Sequence, residues 1–113
     1  MIHVRVHLVA KPGKDLELSQ AITKLSERIL LEPGCVNCGS YQSTLHDHMF
    51  IVIAEWENEV AAESHLESEN FALLIGASSV LTNEIHVDLS KDPYMKALRG
   101  SFRERLMKHV EED

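Results

Sequence analysis

A chain of 113 residues has room for one domain and one hydrophobic core. Its 44% hydrophobic and 26% charged residues are ordinary for a folded globular protein and argue against disorder. A formal net charge of -7 disfavours a nucleic-acid partner, and no apolar run approaches the roughly 20 residues that span a bilayer.

The segment Ile2 to Ala10 alternates and predicts a strand, with Ile2, Val4, Val6 and Leu8 on one face and His3, Arg5, His7 and Val9 on the other. Because the chain opens on a strand and not on an export signal, a cytoplasmic location with reduced cysteines is expected. Lys11-Pro12-Gly13 breaks the strand. Leu18, Ile22, Leu25 and Ile29 recur at helical spacing, and Glu32-Pro33-Gly34 ends that helix. Strand two is predicted over Cys35 to Thr44, a connection over Leu45 to His48, and strand three over Met49 to Glu57.

Strand three is apolar on both faces: Met49, Ile51 and Ile53 against Phe50, Val52, Ala54 and Trp56. The chain's helices can cover only one of these faces, so a partner's sheet is expected over the other. Asn58 predicts the N-cap of a second helix reaching Glu67, and Ser68 that of a further helix carrying Phe71, Leu74, Ile75 and Ser78. Strand four, Asn83 to Leu89, is expected to turn Ile85, Val87 and Leu89 inward. Glu84, His86 and Asp88 would then lie beside His3, Arg5 and His7 of strand one. The order β-α-β-β-α-β gives an α+β, ferredoxin-like domain over residues 1–90, with a four-stranded antiparallel sheet and helices on one face. Residues 91–113 are read as a C-terminal extension. In it Asp92-Pro93 starts a helix to about Val110, with Leu98, Phe102, Leu106 and Val110 four residues apart.

Cys35-Val36-Asn37-Cys38 has C-x-x-C spacing, but it opens a strand, where no helix dipole activates the first thiol. Residues three apart on a strand point to opposite faces, so a structural role is expected. A zinc site joining Cys38 to His46 fails on distance, since strand two would hold them roughly 26 Å apart. No phosphate loop, G-x-S-x-G, H-E-x-x-H or dinucleotide fingerprint is present. The best catalytic candidate is His65, whose imidazole titrates near neutral pH; a half-buried structural histidine is the plain alternative. Trp56, Asn70 and Phe71 are candidates for lining a cleft around it.

Several short runs together resemble the antibiotic biosynthesis monooxygenase (ABM) family. They are Glu32-Pro33-Gly34-Cys35, Tyr41-Gln42-Ser43, Phe50 through Glu55-Trp56-Glu57, and Glu63-Ser64-His65 through Asn70-Phe71, after an opening Val9-Ala10-Lys11-Pro12-Gly13-Lys14. The resemblance covers about residues 2 to 90. It implies a dimeric α+β barrel in which two four-stranded sheets pack face to face. It further implies oxygenation of a small aromatic or quinol-like molecule without metal, flavin or haem, with His65 as acid/base and Trp56, Asn70 and Phe71 shaping the pocket. Ala54 and Asn70 stand where many members carry Glu and His, leaving His65 alone of the family's candidate acid/base groups. The residues that the haem-degrading branch would need near His65 and Ile75 are absent, so no haem is expected. These departures keep a second reading open: a non-catalytic dimer of the same fold that binds a ligand or partner.

Overall fold

The computed structural model describes residues 1–91. The helix read over Pro93 to Val110 lies outside the described residues. The elements in order are β1 (Ile2–Ala10), α1 (Asp15–Leu30), β2 (Cys35–Gln42), β3 (Met49–Trp56), α2 (Glu59–Leu66), α3 (Glu69–Leu81) and β4 (Thr82–Lys91). They form an antiparallel four-stranded sheet in the order β2-β3-β1-β4. This is the ferredoxin-like α+β arrangement that the alternating pattern predicts. No described helix is long and apolar enough to cross a membrane.

Local chemistry explains the boundaries. Both helix-flanking turns have proline second and glycine third: Lys14 N–H bonds Lys11 O at 2.9 Å, and Cys35 N–H bonds Glu32 O at 3.1 Å. Gly13 and Gly34 have φ of +79° and +83°, which glycine adopts without a steric penalty. Asn58 Oδ1 accepts Ala61 N–H at 2.9 Å, and Ser68 Oγ accepts Phe71 N–H at 3.1 Å, so both predicted N-caps are in place. β2 stops at Gln42, two residues short of its predicted end. Ser43 Oγ there accepts the Leu45 and His46 amides, a local turn that competes with the ladder.

The core lies between the sheet and the helices. Val4, Val6 and Leu8 of β1 and Phe50, Val52, Ala54 and Trp56 of β3 meet Leu18, Ile22 and Ile29 of α1 and Leu74 of α3. Leu89 was expected inward. It does share the helix-facing side, opposite Val4, but is 53% exposed because β4 is an edge strand of the sheet, with no neighbour beyond it among the described residues.

The cysteine geometry also differs from expectation. A bulge between Cys35 and Asn37 absorbs one residue, so Cys35 stands opposite Trp56 and Cys38 opposite Ala54. Both cysteines therefore face the helices and pack against the core. No described helix covers the other sheet face, which carries Tyr41, Met49, Ile51 and Ile53 on one half and a polar network on the other. There Arg5 pairs with Asp88 at 3.0 Å, His7 stands opposite His86, and His7 Nε2 lies 3.1 Å from the Asp88 carboxylate. Glu84 falls opposite Val9 rather than a cation.

Candidate active site: an aromatic and carboxylate cluster

Four elements converge at one end of the sheet. β3 ends on Trp56, the short helix α2 supplies His65 from its last turn, and the cap at Ser68 starts α3 so that Asn70 and Phe71 lie in its first turn. Glu32 comes from the turn after α1, where Glu32 N–H bonds Ile29 O at 3.0 Å. Trp56 is fully buried and His65 is 2% exposed.

The rings are closely packed. His65 stacks on Trp56 with centroids 4.5 Å apart and planes at 24°, and meets Phe71 edge-on at 5.3 Å. His65 Nδ1 lies 3.2 and 3.1 Å from the two Glu32 carboxylate oxygens, and Asn70 Nδ2 donates to Glu32 Oε2 at 3.0 Å. Burial lowers the His65 pKa from its ordinary value, and the Glu32 carboxylate only partly opposes this. This favours the uncharged imidazole at neutral pH. Because a carboxylate only accepts, Nδ1 carries the proton and Nε2 the lone pair. The Trp56 indole N–H finds no acceptor among the described residues, although it is buried.

The structure thus brings together all four residues singled out from the sequence: Trp56, His65, Asn70 and Phe71. The cluster is packed by its own side chains. A cavity of about 280 Å³ lies elsewhere, lined by Tyr41, Gln42, Ser43, Met49, Phe50 and Ile51 at the β2–β3 hairpin end. From Ile51 to Trp56 along β3 is roughly 16 Å. Glu32 is the residue that the sequence does not mark for the site. Its only signal is the Glu-Pro-Gly-Cys run, whose turn aims the carboxylate at α2. Among the described residues no group of three or more His, Cys, Asp or Glu side chains is placed to hold a metal ion.

Together, the fold and this cluster define a ferredoxin-like α+β domain with a histidine–carboxylate pair packed against aromatic rings. Among solved structures, an ABM-type protein from Deinococcus radiodurans superposes with a TM-score of 0.78 at 18% identity, over 83% of this chain and 94% of that one. A conserved protein from Methanosarcina mazei gives 0.73 at 25% identity, over 80% and 91%. SnoaB, a cofactor-independent oxygenase from Streptomyces nogalater, gives 0.72 at 16%, over 83% and 94%. A comparison with curated protein sequences gives no match. The sequence profile of the antibiotic biosynthesis monooxygenase (ABM) family matches residues 1–75, more than half of the chain, and the chain belongs to that family.

Proposed function

We propose that this protein is a cofactor-independent monooxygenase acting on a small electron-rich aromatic or quinol-like molecule, with His65 as the base. The observation that carries this reading is the buried Trp56 indole N–H with no acceptor among the described residues, stacked on the neutral, carboxylate-backed His65. An unpaired buried donor costs about 1–3 kcal/mol, and a substrate oxygen would relieve it. The likeness to a cofactor-independent oxygenase supports the same class of chemistry.

His65 Nε2 takes the phenolic proton, and the phenolate then gives an electron to dioxygen. Recombination forms a carbon–oxygen bond, and loss of water leaves a quinone. Overall an aromatic C–H and O–H plus O2 give two carbonyls and water, so the substrate supplies every electron. The aromatic walls orient the substrate and exclude water. Phe71, the half-buried ring of the set, meets the His65 ring edge-on at 5.3 Å.

The second reading is a non-catalytic dimeric binding protein, favoured by the packed cluster and by the separate cavity at Tyr41 and Ile51. Oxygen uptake over a panel of quinols and naphthols, with the natural protein and His65→Ala, separates the two. Uptake that drops by about 100-fold or more in the variant supports the first reading. Equal rates remove His65 from the mechanism, and no uptake across the panel favours the second.

We further propose a homodimer through the helix-free sheet face, supported by the half-buried Ile51 and Ile53 beside exposed Tyr41 and Met49. Sedimentation velocity should give twice the 12.8 kDa chain mass, and Ile53→Asp should return it to 12.8 kDa. A natural protein that sediments as a monomer at micromolar concentration overturns the dimer.

A further inference from the structure

We infer that Glu32 is the positioning residue of this site, fixing the orientation and tautomer of His65, and that Asn70 holds Glu32 in place. This rests on the reading of His65 as the base.

The geometry has three parts. Both Glu32 oxygens lie within hydrogen-bond reach of His65 Nδ1, so the imidazole is held along one edge and its Nε2 is directed away from the carboxylate. Asn70 Nδ2 donates to Glu32 Oε2 at 3.0 Å, which leaves the carboxylate little freedom to turn. The Glu32 side chain is 15% exposed and that of His65 2%, so water competes weakly for either contact.

The placement of Glu32 argues against a purely helix-stabilising role. It follows the C-terminal end of α1, where the helix dipole is negative and a carboxylate is disfavoured. Its hydrogen-bond partners among the described residues, His65 and Asn70, are on the other side, on α2 and α3. A carboxylate that orients a histidine and selects its tautomer is a general device for making the far nitrogen a base. It also gives Asn70 a use other than substrate binding: one N–H of its amide is already committed to the carboxylate.

Glu32→Gln changes this arrangement with little change in size. An amide oxygen and an NH2 then replace two carboxylate oxygens that both lie within reach of His65 Nδ1. Where the amide oxygen serves Asn70, the new NH2 faces Nδ1 and favours the opposite tautomer.

The test is nitrogen-15 NMR of the His65 ring in the full chain, together with steady-state oxygen uptake. The natural protein should show the Nδ1–H tautomer, and Glu32→Gln should raise the Nε2–H population. kcat should fall about tenfold or more, while KM stays within about twofold. An Nε2–H tautomer in the natural protein overturns the assignment without need of a variant, and so do equal tautomer populations in the two proteins. If the tautomer shifts as expected but the natural protein consumes no oxygen, the positioning of His65 by Glu32 stands and the oxygenase reading falls.

Discussion

Gly34 lies directly beneath Ala61: a Cβ placed on Gly34 would stand 2.5 Å from the Ala61 Cβ. The turn that ends α1 is thereby pressed against α2, and the same turn carries Glu32 to within reach of His65 on that helix. Gly34 also holds a φ of +83°, where a side chain is strained. Gly34→Ala should therefore destabilise the fold by about 2–4 kcal/mol, the sum of backbone strain and overpacking. Gly13 is the internal control. Its φ of +79° is nearly the same, but a Cβ there meets nothing within 4 Å, so Gly13→Ala should cost only about 1–2 kcal/mol. Urea unfolding of both variants checks the difference. Equal losses would mean that the Ala61 contact gives way without cost.

Trp56→Phe separates the packing role of the indole from its hydrogen-bonding role. The phenyl ring can still stack on His65, and the unpartnered buried N–H is gone. Stability should fall by no more than about 2 kcal/mol, because relief of the unsatisfied donor offsets part of the lost volume. Turnover should fall about tenfold or more if that N–H receives a substrate oxygen. Paired thermal melts and oxygen-uptake assays test this. A large loss of stability with unchanged turnover would make the indole a packing residue alone.

Much of the architecture was legible because it depends on local chemistry. β1 alternates along its whole length, Asn58 and Ser68 cap the helices where the sequence places them, and the two Pro-Gly turns stop the chain at the right points. What was not legible depends on three-dimensional register. The bulge after Cys35 has no residue signature, yet it reverses which face Cys38 occupies. Leu89 has an inward pattern, but pattern does not report which strand is the edge. The site shows the same division. His65, Trp56, Asn70 and Phe71 come from two nearby stretches of sequence and could be grouped by inspection. Glu32, 33 positions before His65, is brought in by the packing of the turn against α2.

The cysteines should be poor nucleophiles. Burial raises the Cys38 pKa to about 11, aided by the nearby Cys35 and Glu32, and burial followed by Glu32 raises that of Cys35. At pH 8 a thiol of pKa 11 is ionised to roughly one part in a thousand, against roughly a quarter for an ordinary cysteine. Iodoacetamide should therefore alkylate native Cys38 roughly 100-fold more slowly than the denatured chain, as read by mass spectrometry. Labelling at the denatured rate would show that Cys38 is neither buried nor held near the negative groups.

Acid should weaken the fold through His65. Its folded-state pKa is lowered from 6.5, chiefly by burial, while in the unfolded chain it returns to that ordinary value. Between the two values the unfolded state binds more protons, so stability rises with pH across that window. The contribution is complete above about pH 6.5 and is lost as pH falls through the folded-state pKa. His65→Phe keeps an aromatic ring in the stack and removes the titration. The stability of the natural protein relative to this variant should fall as pH drops below 6.5. Glu32→Gln removes the charge that partly supports the imidazolium, so its acid loss should be larger than that of the natural protein. Urea unfolding of the three proteins at pH 7.5 and 5.5 decides the sign. A natural protein that gains on His65→Phe upon acidification would mean that Glu32 outweighs burial and that His65 is held as the cation, a form that cannot act as a base.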